Sequence, residues 1–130
     1  MKKAQIIAGG LLGLVFVVFG LNYFLKFIAI PAPPEGSPAA MFFGAIFPTG
    51  FLAFVKVLEV VGGALVAIPR TRVLGLLILT PVIVNILAFH VFITGGYGLF
   101  DPPVVIITVA AAFLIWSHRK GVAALLADRG

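Results

Sequence analysis

The sequence predicts an all-α fold: a polytopic transmembrane four-helix bundle with a short interfacial helix between spans 1 and 2. Three observations lead there. Of the 130 residues, 62% are hydrophobic and only 10% are charged, whereas a soluble domain has roughly 25% charged and 45–50% apolar residues. Apolar runs recur at close to the roughly 20 residues that a helix needs to cross a bilayer. The lysines and arginines gather at alternate segment ends, while the chain carries a net charge of +5.

The elements follow in order. Met1-Lys2-Lys3 precedes an apolar run over residues 4–30. That run is longer than the 7–15-residue core of a secretory signal, so it reads as an uncleaved first span. Gly9, Gly13 and Gly20 fall on one side of it and either admit a neighbouring helix or are simply tolerated in a lipid-facing span. The prolines of residues 31–38 end the helix. Ser37-Pro38 has the form of an N-cap followed by proline at the first helical position, opening a short interfacial helix. Pro48-Thr49-Gly50 stops that helix, with Thr49 the expected cap of a second span over residues 51–68. A basic turn containing Arg70 and Arg72 leads to a third span over residues 73–93. Pro81 lies inside that span and is expected to kink it. Asp101-Pro102-Pro103 opens a fourth span over residues 104–117. The tail, residues 121–130, reads as either a short cytoplasmic surface helix or a frayed end.

Four spans place Lys2, Lys3, Arg70, Arg72, Arg119, Lys120 and Arg129 on one side, and Glu35 and Asp101 in the opposite loops. The positive-inside rule makes the basic side, with both termini, cytoplasmic, as in a bacterial-type inner membrane. The basic residues form no continuous stripe, so nucleic acid is not an expected partner. The expected partner is the lipid bilayer, with either a membrane complex or further copies of the chain beside it.

Within the spans the polar residues are few. At about 1.5 Å per residue, Lys56 and Glu59 lie in the outer half of span 2 and Asn85 and His90 in the outer half of span 3. Asn22 and Lys26 lie near the outer end of span 1. A charge at mid-bilayer costs roughly 2.5–3.5 kcal/mol on insertion scales and usually faces protein, so a polar cavity open to the outer side is expected. Gly62 and Gly63 flank Glu59 and permit close packing. Lys56 and Glu59 can pair at i,i+3, but lysine before glutamate is the weaker order for a helical pair, so the best partners for the two charges are expected on other helices, from Asn85, His90 or Asn22. Other readings stand beside these. Lys56 could snorkel, Asn85 could act as interhelical glue, and His90 could satisfy itself on a helix end. One carboxylate and one histidine fall short of a zinc site, so no metal is expected. No serine or cysteine accompanies His90 as a nucleophile, and the absence of cysteine removes thiol–disulfide chemistry.

Lys56-Val-Leu-Glu59-Val-Val-Gly62-Gly63 resembles the K-x-x-E-x-x-G-G signature of DoxX-like membrane proteins. Pro81-Val-Ile-Val-Asn85-Ile-Leu-Ala-Phe89-His90 resembles that family's third-span motif, and Gly20-Leu-Asn22-Tyr-Phe24 the end of its first span. The resemblance implies a small four-helix integral membrane protein, with Lys56, Glu59, Asn85 and His90 as motif positions and no assigned catalytic step. The family name comes from components linked to quinone-dependent sulfur oxidation. The function expected is therefore an accessory subunit of a membrane redox system that binds a quinone- or lipid-like molecule, with no catalytic activity of its own. A structural subunit or assembly factor of a larger membrane complex is the alternative. A proton-coupled transporter working through Glu59 and His90 as a homo-oligomer is the other. In the binding reading, Tyr23, Phe24 and Phe89 hold the ligand's apolar part.

Overall fold

The structure, a computed structural model, describes residues 2–127. Arg129, counted above among the cytoplasmic charges, and Asp128 in the tail lie outside them. Every regular element among the described residues is helical: α1 (Lys2–Leu25), α2 (Pro38–Ile46), α3 (Phe51–Ala67), α4 (Arg72–Ala88), α5 (Pro102–Ser117) and α6 (Arg119–Leu126). A 3₁₀ turn, Pro69–Thr71, leads into α4, and a π turn, Phe89–Ile93, continues it. Two helices are long and apolar enough to cross a membrane, Lys2–Leu25 and the run Pro69–Ile93. The number rises to four if each sharply bent pair, α2 with α3 (85°) and α5 with α6 (75°), counts as one span.

The four long helices form a ring in which α1 and α4 each pack against both α3 and α5. Leu12, Val66, Leu79 and Leu114, one from each helix, are fully buried at its centre. The outward faces are just as apolar: Ile7, Leu14, Val84 and Val109 all lie more than half exposed. Helices that are hydrophobic all round suit an apolar solvent rather than water.

Glycine sets the closeness of the ring. A Cβ on Gly13 would fall 2.5 Å from the Gly63 carbonyl oxygen, and one on Gly63 would fall 2.9 Å from that of Gly13. Gly20 abuts Val60, and Gly62 abuts Leu79. Gly9 has a different neighbour: a Cβ there would stand 2.6 Å from Nε of Arg72. The sequence places Arg72 among the cytoplasmic charges, but it is only 3% exposed. Its Nε donates to the Val66 carbonyl (2.9 Å) and its Nη2 to that of Ala67 (3.3 Å). A cation bonding the last carbonyls of α3 offsets both the orphan acceptors and the negative end of the helix dipole. Gly75, which the sequence reading passed over, brings the first turns of α4 against the Val66 backbone.

Several local expectations are corrected. α1 stops at Leu25 instead of continuing through residue 30. Lys26 takes a left-handed conformation (φ 55°), the common way to end a helix although usually a glycine role. Ser37 does cap α2, accepting from the Ala40 N–H at 3.2 Å. At α3 the cap position belongs to left-handed Gly50 rather than Thr49. The Thr49 hydroxyl donates back to the carbonyls of Ala45 and Ile46 and accepts from the N–H of Phe51, the first residue of α3, at 3.4 Å. Asp101 stands at the cap position of α5, but its side chain makes no capping bond. Pro81 does not interrupt α4, which runs through it. The irregularity comes about two turns later, in the π turn at Phe89–Ile93, and the tail helix begins at Arg119 rather than residue 121.

Candidate functional site: a cavity in one half of the bundle

A cavity of about 930 Å³ opens between the helices in the half of the bundle that holds Lys56 and Glu59. It falls within the range of about 300–1,000 Å³ typical of small-molecule sites. All four ring helices contribute walls: Phe16 and Phe19 from α1, Leu52 and Val55 from α3, Ile86 from α4, and Val104 from α5. Phe42 and Phe43 of α2 cover one side.

α2 sits there because of aromatic packing. Both Phe42 and Phe43 lie 5.3 Å, ring centre to ring centre, from Phe89 at the start of the π turn. Phe89 in turn meets the His90 ring edge-on at 5.3 Å. The 85° bend between α2 and α3, made possible by left-handed Gly50, folds α2 over the cavity.

Four polar side chains break the apolar lining: Lys56, Glu59, Asn85 and His90. Lys56 Nζ donates to Glu59 Oε1 at 3.3 Å. The pair therefore closes within α3 rather than across to Asn85, His90 or Asn22, as the order of the residues had suggested. Burial explains the difference: Glu59 is 5% exposed, and in so apolar a setting a nearby ammonium outweighs the few tenths of a kcal/mol by which residue order matters on a solvated helix, about 0.2–0.5 kcal/mol per pair. Only Oε1 is bonded. Oε2 keeps access to the cavity, since no fully buried side-chain oxygen among the described residues lacks a partner.

The π turn positions His90. Its Nδ1 lies 2.8 Å from the Ile86 carbonyl. A carbonyl only accepts, so Nδ1 carries the proton and Nε2 is the free edge. That edge comes against Gly98, where an added Cβ would lie 3.5 Å from Nε2 and 3.2 Å from Asp101 Oδ2. His90 therefore stands between the cavity and the loop that carries Asp101. The sequence marks Asp101 as a helix cap and an outer-loop charge; its place beside Gly98, with His90, depends on loop geometry that no spacing rule reveals. Asn85 is exposed within the cavity wall. Two residues assigned to the site do not line the cavity. Asn22 is buried elsewhere, its side chain donating to the Ile28 carbonyl (3.0 Å) and accepting from the Ile28 N–H (2.6 Å), and Lys26 points into the surroundings, exposed. Tyr23 and Phe24 meet edge to face, with Tyr23 also against Phe47, and leave the lining to Phe89.

Chemically the site offers one ion pair with a spare carboxylate oxygen, one amide and one imidazole edge on an otherwise greasy wall. No cluster of three or more His, Cys, Asp or Glu residues forms among the described residues. No family model, curated protein or solved structure matches the chain.

Proposed function

We propose that the chain is a DoxX-like integral membrane protein with four spans and both termini cytoplasmic, and that its outer-half cavity binds a polar-headed, lipid-soluble molecule of quinone-like or lipid-like chemistry. In this reading it serves as an accessory subunit of a membrane redox system. The observation that carries the proposal is the composition of the cavity. Aromatic and aliphatic walls from five helices surround four clustered polar groups, the pattern of a small-molecule site with a few orienting contacts. A quinone-like head would accept from Lys56 or Asn85, a quinol or lipid hydroxyl would donate to Glu59 Oε2, and the chain would lie along Phe16, Phe43 and Phe89. The quinone-like identity rests on the family resemblance, and the polar-headed amphiphile on the cavity itself.

One observation favours a second reading, that of a structural subunit: Lys56 and Glu59 already satisfy one another. Organic extraction of the purified protein separates the two. A quinone or a single lipid class recovered at close to one molecule per chain supports the binding role, and recovery of bulk membrane lipid alone supports the structural one.

A further inference from the structure

The opposite end of the bundle carries a second site. An open cleft of about 450 Å³ lies between the first turns of α1 and the α5–α6 corner, lined by Gln5, Ser117, His118, Arg119, Lys120 and Gly121. Among the described residues this end holds no carboxylate: Glu35, Glu59 and Asp101 all belong to the other half, while Lys2, Lys3 and Arg70 stand exposed nearby. Among the described residues, then, no carboxylate faces this positive charge. Arg72, the remaining cation at this end, is already committed to α3.

The surroundings of the cleft are apolar. Trp116 is 54% exposed beside it, with the Arg119 guanidinium 4.6 Å above its ring and bonded to its carbonyl. α6 leaves α5 at 75°, and a Cβ on Gly121 near its start would stand 3.7 Å from Val73. Leu125 and Leu126 further along are 60% and 77% exposed. A tryptophan with a stacked arginine, followed by a helix with bare leucines, is the arrangement of a segment lying in a membrane interface.

We propose that this cleft binds the phosphate of an anionic phospholipid from the leaflet in which α6 lies. Lys120, Arg119 and His118 supply the cationic and hydrogen-bonding groups, and Trp116, Leu125 and Leu126 hold the adjoining acyl region. The chemistry recognised is a phosphate monoanion. The exposed apolar groups beside it select a lipid over free phosphate. The proposal rests on the membrane reading of the bundle but not on any ligand in the other cavity.

Trp116 is the only tryptophan in the chain and reports on this site directly. The test reconstitutes the full chain into vesicles of phosphatidylcholine and phosphatidylglycerol at fixed ratio, with bromine on the acyl chains of one lipid at a time. Brominated phosphatidylglycerol is expected to quench Trp116 several-fold more than brominated phosphatidylcholine at equal mole fraction. Lys120→Gln should lower that preference about five-fold, the weight of one basic contact at an anionic surface. Equal quenching by the two lipids overturns the site. Loss of the preference on adding inorganic phosphate at unchanged ionic strength makes it a free-phosphate site and overturns the lipid assignment. A carbonate wash separates this failure from that of the membrane reading: protein stripped from the vesicles refutes the spans themselves, whereas retained protein without headgroup preference refutes only this cleft.

Discussion

The Lys56–Glu59 pair gives the sharpest energetic prediction. The carboxylate side chain is 7% exposed and bonded once, whereas the lysine side chain is 23% exposed on a flexible stem. Lys56→Met strands the carboxylate. Breaking a buried pair costs about 3–5 kcal/mol, and access of Oε2 to the cavity places the loss near the lower end, about 3 kcal/mol. Glu59→Gln leaves an ammonium that can turn toward the cavity mouth, so its loss is smaller, about 1 kcal/mol. The double variant has no charge left to strand and should lose no more than Glu59→Gln alone, giving a coupling of about 3 kcal/mol. Unfolding by titrated SDS in mixed micelles, followed by far-ultraviolet circular dichroism, measures all four proteins. Additivity within about 0.5 kcal/mol, or a loss for Glu59→Gln as large as for Lys56→Met, would refute the reasoning.

Three further outcomes follow from the same structure. Gly63→Ala puts a methyl 2.9 Å from the Gly13 carbonyl oxygen and 3.1 Å from Phe16 Cβ. It should cost about 1–3 kcal/mol in that SDS titration, while Gly10→Ala, which meets nothing within 4 Å, should be neutral. Arg72→Met removes both bonds to the end of α3 and should cost about 1.5–3 kcal/mol, with Gly9→Ala, which presses on the same guanidinium, destabilising in the same assay. Cysteines replacing Glu35 and Tyr97 should react with an impermeant maleimide added outside intact cells, and one replacing exposed Arg70 should react only after the membrane is opened; the reverse pattern would invert the proposed orientation.

Much of the fold is legible in the sequence because its signals are local. Ser37-Pro38 opens α2 as its chemistry requires, and the spacings of Gly13, Gly20 and Gly63 mark the α1–α3 contact. The polar positions 56, 59, 85 and 90 could be brought together from helical rise alone, since depth along a straight helix depends only on residue count. What escaped depends on contacts between distant residues. Arg72 looks like any cytoplasmic arginine until Gly9 of another helix vacates the space it fills. Asn22 looks like a cavity residue until the chain beyond α1 turns back and offers it the Ile28 backbone. Pro81 has the familiar mark of a kink and α4 stays helical through it, whereas the π turn at Phe89–Ile93, where three phenylalanines and His90 pack, carries no such mark. No periodicity forecasts a π turn, and such turns are frequent at functional sites.

The central claim, that the outer-half cavity takes a polar-headed apolar ligand, is tested most directly by ligand-dependent melting of the purified protein. A short-chain quinone, a set of phospholipids and a non-polar alkane of matching length serve as probes. A ligand of the folded state stabilises it by about 2.7 kcal/mol at one hundred times its Kd, so one polar-headed probe should raise Tm in a saturable manner. The rise should shrink in Glu59→Gln and vanish in Val55→Trp, whose larger side chain fills the cavity from α3. A flat response to every probe, or a rise that Val55→Trp leaves intact, would contradict the claim and leave the four polar residues as internal supports of the bundle.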